Sequence, residues 1–300
     1  MAVSTVPKRA ALPLAGGAEG AGVAVAPMRT GSILVPPGYV QRPRGPAPVA
    51  RGLAARRSRW TPVPVACFLV EHPTVGPVLV DTGLPAAAAE SAAAAFGRRG
   101  ALVLPRARVD RASTLTARLA ERDLDPLDIE VVVMTHLHYD HAGAIAELPS
   151  STFVVDQAEW EAAASGGVRQ GYVRGLFDHA FDWRAIDFAG RAVTSFASFG
   201  RTIDLFGDGS VRMLSTPGHT LGHVSVLLRL GSGRELLLTG DAAVARRSID
   251  EQLVPLFTAD LHLYRRSLRE IRRYVEQTPS AEVVCGHDAD GWPQVRARYE

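Results

Sequence analysis

Ile129-Glu130-Val131-Val132-Val133-Met134-Thr135-His136-Leu137-His138-Tyr139-Asp140-His141 is the stretch on which the reading of this chain turns. Ile129 to Met134 is a largely β-branched run, the pattern of a strand buried on both faces. Four metal-ligand types, His136, His138, Asp140 and His141, then fall within six residues of each other. A strand end is rigid, and a loop leaving it can aim several side chains at one point. Histidine and aspartate suit a divalent metal, zinc above all, in an open catalytic site that needs no thiolate. A single histidine here would read as part of a solvated loop. His-x-His-x-Asp-His directly after a buried strand reads as a metal site.

Three further segments repeat the design. Val211 to Ser215 leads into Thr216-Pro217-Gly218-His219, Glu235 to Thr239 into Gly240-Asp241, and Glu282 to Cys285 into Gly286-His287-Asp288. In each, an apolar strand ends, a glycine allows a tight turn, and a ligand-type residue follows. Any one alone would read as structural. Together the four place His136, His138, Asp140, His141, His219, Asp241 and His287 where strands end.

Outward from these motifs the signals alternate. Val63 to Glu71 and Pro77 to Val80 predict a hairpin around His72-Pro73-Thr74-Val75-Gly76. Pro85 to Phe96 predicts an Ala-rich helix that Gly97 ends, and Ser113 to Arg122 predicts another. Thr152 to Val155 predicts a strand followed by a helix from about Gln157 to Ala164. Ile203 to Phe206 pairs with Val211 to Ser215, and His223 to Leu230 with Glu235 to Thr239. Leu261, Tyr264, Leu268, Ile271 and Val275 form one apolar stripe of a long helix, with Asp260 as its cap. Hairpins mixed with helices predict an α+β layered fold. Residues 1–21, rich in Ala, Gly and Pro, are expected to be a disordered tail, and 22–300 a single domain. The Pro- and Arg-rich stretch over 36–64 is expected to be an extended loop or lid.

Composition excludes several classes. The 300 residues carry 33 Lys+Arg against 31 Asp+Glu, a net charge of +2. That is too small to point to nucleic acid or an anionic membrane surface. No apolar run approaches the length of a membrane span. The two cysteines, Cys67 and Cys285, each sit in an apolar run and read as buried strand residues. The expected compartment is the cytoplasm. The expected partner is a small molecule, with no nucleic acid and no membrane; a homodimer stays open.

The motif set resembles the metallo-β-lactamase superfamily over roughly Val63 to Asp288. That resemblance implies a four-layer αβ/βα sandwich of two packed mixed sheets with outer helices, and two divalent metal ions, zinc by preference. It implies that His136, His138 and His219 hold the first metal and Asp140, His141 and His287 the second. Asp241 would bridge them, Asp81 would orient a ligand or its loop, and Asp140 would also shuttle the proton. His223, four residues after His219, is left as a strand-start residue. The expected nucleophile is a hydroxide shared by the metals, and no Gly-x-Ser-x-Gly elbow offers a serine instead. Val65 to Glu71, Val78 to Gly83, His136 to Gly143, Thr216 to His219 and Val284 to Asp288 resemble the N-acyl-homoserine lactonases in particular. The implied reaction is hydrolysis of a lactone or related ester.

One position departs from that family: where its members commonly carry a tyrosine, three residues after the bridging aspartate, this chain has Val244. Tyr139 and Tyr172 are the candidate substitutes. The rival readings are a thioesterase or phosphodiesterase with the same kind of dinuclear site, and a non-catalytic metal-binding sensor domain.

Overall fold

The computed structural model describes residues 5–45, 47–104, 106–179 and 181–300, leaving aside the side chain of Arg51. Among the described residues, two sheets pack face to face. The first holds β1 (Lys8–Arg9), β2 (Ala24–Val35), β3 (Thr61–His72), β4 (Gly76–Val80), β5 (Ala107–Arg108), β6 (Val131–Val133), β7 (Thr152–Asp156) and β8 (Asp182–Ile186), in the order β1-β8-β7-β6-β4-β3-β2-β5. The second holds β9 (Thr194–Phe196), β10 (Phe199–Asp204), β11 (Val211–Ser215), β12 (Val224–Arg229), β13 (Glu235–Leu238) and β14 (Glu282–Val284), laid side by side in reverse chain order. Helices α1 (Pro48–Leu53), α2 (Ala92–Val103), α3 (Leu115–Ala120), α4 (Gln157–Ser165), α5 (Arg174–Phe177), α6 (Arg246–Glu251) and α7 (Leu261–Gln277) join them.

The layering follows from alternation along the strands. Val131 and Val133 of β6 face inward with Val78, Val80 and Val154, and meet Met213, Val226, Leu228, Leu236 and Leu238 of the second sheet. Val132 faces out with Leu79 and Phe153, against Leu115 and Leu119 of α3 and Trp160 of α4. On the other side Leu214, Leu227 and Leu237 pack under Tyr264, Leu268, Ile271 and Tyr274 of α7. The expected four-layer sandwich is therefore present. Each fully buried valine or leucine stabilises the fold by about 1.5–3 kcal/mol, so the run before Thr135 is firmly anchored.

Strand direction decides where loops emerge. β4, β6, β7 and β8 are mutually parallel. β11 and β13 both run antiparallel to β12, and β14 runs parallel to β13. Hence the chain segments after β11, β13 and β14 leave the second sheet at one edge, as those after β4 and β6 leave the first.

Several expectations need revising. The long β2, paired with β3 from Ala24–Glu71 to Val35–Thr61, was not anticipated. Pro27 and Gly31 interrupt its pattern, and a bulge lies between Arg29 and Gly31. Within 36–64 the described residues are not all loop: α1 forms there, and β3 begins at Thr61. Helix α2 is kinked at Gly97 rather than ended by it. No helix is long and apolar enough to cross a membrane among the described residues. Cys67 and Cys285 are both buried and free.

The tail is the clearest correction. Residues 5–21, expected to be disordered, lie against the body. β1 pairs in parallel with β8, and Ala10, Leu12 and Leu14 pack on the inter-sheet core. Asp208 accepts from the Ala18 N–H (3.0 Å) while His72 Nε2 lies 3.0 Å from the same carboxylate. Thr74 donates its hydroxyl to the Gly16 carbonyl (2.5 Å). Composition hid this, because an added edge strand needs backbone hydrogen bonds more than a hydrophobic period.

Asp208→Ala would leave the buried His72 and the Ala18 N–H without their shared acceptor. The expected loss of stability is about 1–3 kcal/mol, read from denaturant unfolding, with residues 5–21 becoming open to limited proteolysis. An unchanged midpoint and an intact tail would contradict this role.

Candidate metal centre

The site is built where the two sheets' strand ends converge. Thr135, just past β6, hands its carbonyl to the Val224 N–H of β12 (2.9 Å), which locks the sheets together at this edge. Its own N–H and hydroxyl both donate to the Asp81 carboxylate (2.7 and 2.8 Å). The His219 turn is pinned by α7. The Gly218 carbonyl accepts from Ala259 and Asp260, and the Pro217 carbonyl from the Ser267 hydroxyl (2.7 Å). Gly218 (φ 133°) leaves no room for a side chain, since a Cβ there would meet the Tyr264 nitrogen at 2.1 Å. The His287 N–H donates to the Val244 carbonyl (3.0 Å), which ties the last ligand-type residue to the Asp241 loop.

All seven residues expected to hold metal come together here. Their donor atoms fall into three overlapping sets, each within 4.8 Å: His136, His138 and His219; His136, His141 and Asp241; Asp140, His141 and His287. Every one of these residues except His138 is buried. Asp241 lies between the outer sets. Its Oδ2 is 3.3 Å from His219 Nε2, and its Oδ1 is 3.4 Å from His141 Nε2 and 3.3 Å from His287 Nε2. Asp140 Oδ2 lies 3.5 Å from His287 Nε2.

Hydrogen bonds fix which nitrogen His136, His141 and His287 turn inward. His141 donates from Nδ1 to Asp81 (2.7 Å), and His287 from Nδ1 to the Pro64 carbonyl (2.8 Å). His136 uses Nδ1 on the Thr135 hydroxyl (3.0 Å), and its buried Nε2 has no partner. His138 Nδ1 and His219 Nε2 face one another at 3.0 Å. Burial, then the neighbouring histidines His141, His138 and His219, holds His136 well below the ordinary imidazole pKa. Burial likewise pushes His138 and His219 down to about 3. Three uncharged, inward-facing imidazoles and an orphaned nitrogen are the donor set a divalent cation completes. Burial would raise Asp241, but His287 and His219 hold it well below the usual carboxylate range. Burial would lower His141, but Asp81 and then Asp241 raise it well above 6.5; Asp241 raises His287 against burial in the same way.

His223 starts β12's approach as expected, and its environment explains why it is no ligand. Its Nε2 accepts the Asp241 backbone N–H (2.9 Å), and Nδ1 lies 3.0 Å from the Thr216 hydroxyl. Both nitrogens are spent holding the Asp241 loop. The two tyrosines proposed for the Val244 position differ. Tyr172 donates its hydroxyl to Glu159 (3.1 Å), so it is committed. Tyr139 packs edge-on to Phe96, and its buried hydroxyl has no partner. Sequence reasoning missed Tyr39, whose ring stands edge-on to His287 with centroids 5.8 Å apart. Burial, then Asp241 and Asp140, raises its phenol well above 10. It also missed Glu159. A lone tyrosine in a Pro-rich stretch and a glutamate at a helix start carry no sequence signal of their own.

Comparison with known proteins gives the family and the fold. The metallo-beta-lactamase superfamily model matches residues 60–287. The chain is 34% identical over 240 residues to N-acyl homoserine lactonase AttM of Azorhizobium caulinodans, covering 78% of this chain and 85% of that one. It is also 34% identical over 244 residues to AttM of Agrobacterium fabrum, covering 79% and 87%. Among solved structures, an N-acyl homoserine lactone hydrolase with the product N-hexanoyl-L-homoserine at its catalytic metal centre superposes with a TM-score of 0.73 at 22% identity, covering 91% of this chain and 96% of that one. AidC, a dizinc quorum-quenching lactonase, gives a TM-score of 0.61 at 13% identity, with 92% and 91% covered.

In the metal-free protein at neutral pH, His141 between Asp81 and Asp241 carries a proton that a cation must displace. His287, facing Asp140 and Asp241, is shifted the same way. His136, His138 and His219 have none to give. Loading with metal near pH 7 should therefore release about one to two protons per chain. Calorimetry in buffers of different ionisation enthalpy measures this; a heat independent of buffer would contradict it.

Proposed function

Because this chain belongs to the metallo-beta-lactamase superfamily, and within it to the family of the N-acyl homoserine lactonases, we propose that it opens the lactone ring of N-acyl homoserine lactones. The observation that carries the proposal is the seat of Asp241, one oxygen toward His219 and the other toward His141 and His287. A carboxylate so placed suits two cations sharing one bridge. We assign His136, His138 and His219 to one ion, Asp140, His141 and His287 to the other, and zinc to both. The name of AidC as a dizinc lactonase supports that choice of metal. Bound there, two such ions would supply a water acidic enough to ionise near neutral pH and an electrophile for the ester carbonyl.

The chain's own residues do the rest. Asp140, whose Oδ2 lies 3.5 Å from His287 Nε2, accepts the proton of the attacking water and returns it to the ring oxygen as the acyl C–O bond breaks. Water adds across one bond, and the products are a carboxylate and a free hydroxyl on the same molecule. Asp81 fixes His141, and His223 fixes the Asp241 backbone, so neither end of the centre reorganises during the reaction. Tyr39, Val63, Val65, Tyr139, Val173, Leu176 and Val244 form one apolar cluster beside the centre, which suits the acyl chain. Opening such lactones would silence bacterial signalling molecules, the quorum-quenching role.

Val244 has no hydrogen-bond donor and is 1% exposed inside that cluster. We assign the missing donor to Tyr39, whose ring stands edge-on to His287; the Tyr139 hydroxyl is buried without a partner in the same cluster. A donor that binds a developing oxyanion contributes on the order of a hundredfold in turnover.

Acid release from N-acyl homoserine lactones tests the activity. Turnover should vanish on chelation and return with zinc, whereas a fully loaded protein that leaves lactones intact would contradict the assignment. Tyr39→Phe should lower kcat about a hundredfold with metal content unchanged. If Tyr39→Phe keeps full turnover, the carbonyl is held by another group.

A further inference from the structure

Two buried carboxylates stand behind the histidines, and only one of them has a role so far. Asp81 braces His141. The other, Glu159 in the first turn of α4, is fully buried at 0% exposure. No basic side chain pairs with it among the described residues. Instead its Oε1 accepts the Leu137 N–H (2.9 Å) and the Tyr172 hydroxyl (3.1 Å), and its Oε2 accepts the Gly222 N–H (3.3 Å).

These three donors are not scattered. Leu137 lies between His136 and His138, so its N–H sets the course of the loop that carries both. Gly222 lies three residues past His219, in the turn that returns to β12. Tyr172 lays its ring 5.0 Å from the His138 imidazole. His138, Tyr172 and Glu159 thus form one chain of contacts, a tilted ring pair and a hydrogen bond. Space around the turn is equally tight: a Cβ on Gly222 would meet the Glu159 nitrogen at 2.0 Å. One carboxylate therefore reaches both chain segments that carry His136, His138 and His219, holding the first loop at Leu137, between His136 and His138 and ahead of Asp140 and His141. Among the described residues it makes no hydrogen bond to the segment that carries His287.

A neutral side chain would cost less to bury than a carboxylate. A buried carboxylate does what a neutral group cannot: it accepts several charge-assisted hydrogen bonds at once, and it sets a negative charge behind imidazoles that must bind a cation. The site at the start of α4 also meets that helix's positive end.

We propose that Glu159 is the positioning residue of the first metal, clamping the His136–His138 loop to the His219 turn, as Asp81 braces the second. This rests on the assignment of the two metal sets made above. It predicts a selective defect. Glu159→Ala and Glu159→Gln, made in the full chain and loaded with zinc, should lose one of two ions at a chelator concentration at least about tenfold lower than the parent needs. The second ion should leave as it does from the parent. Anomalous scattering from crystals of the one-ion form should place the remaining ion among Asp140, His141 and His287. Excess zinc should restore kcat, since Glu159 touches no reacting atom.

If the two ions weaken equally, or neither does, Glu159 is a general packing residue and the proposal falls. A parent protein that binds no zinc at all would overturn the metal assignment itself, and the proposal with it. Should Glu159→Ala fail to fold, Tyr172→Phe serves. It keeps the ring beside His138 and removes one of the three donors, so it should weaken the same ion by a smaller factor; no change would count against the clamp.

Discussion

A single buried carboxylate, that of Asp241, has three imidazole nitrogens within 3.4 Å. Three histidines and an aspartate would not crowd like this in a low-dielectric site without something positive to share. Asp81 and Asp241 raise His141 well above 6.5 and Asp241 raises His287, which favours their charged forms, whereas burial pushes His219 down to about 3. The arrangement thus has unspent negative and lone-pair density on the side of His136, His138 and His219. The two cations proposed above would satisfy both sides, and the sheet edges, turns and braces around Asp241 keep its oxygens pointed apart.

The rest of the architecture follows from that demand. Ligand-type residues must come from both sheets, so the sheets must be pinned at the edge where they meet, which the Thr135 carbonyl and the Val224 N–H do. The loops must be short and rigid, so each follows a strand, and β6, which delivers four of the ligand-type residues, is buried on both faces. Imidazoles must present one nitrogen only, and three of the five have the other nitrogen occupied: His141 by Asp81, His136 by the Thr135 hydroxyl and His287 by the Pro64 carbonyl. His223 applies the same principle at one remove, using both nitrogens to hold backbone.

Much of this was legible in the sequence because strand ends and ligand types are both local signals. Val131 to Val133 announced a doubly buried strand, and His-x-His-x-Asp-His announced what it delivers. The layering was legible through the resemblance and through the stripe that became α7, where Tyr264, Leu268 and Ile271 are buried as the period required. Long-range placement was not. Nothing near Glu159 in the chain says that its carboxylate meets Leu137 and Gly222, and nothing near Tyr39 says that it meets His287. β2 was obscured by Pro27 and Gly31, which a bulged strand tolerates. The tail escaped because pairing along a sheet edge is backbone chemistry, to which composition is blind.

The central claim is that one centre needs both ions to work on a lactone. Zinc added stepwise to metal-free protein, with N-acyl homoserine lactone turnover followed at each step, tests it most directly. The account predicts that turnover climbs to its plateau at about two equivalents per chain. Full turnover at one equivalent, or none at two, would contradict it.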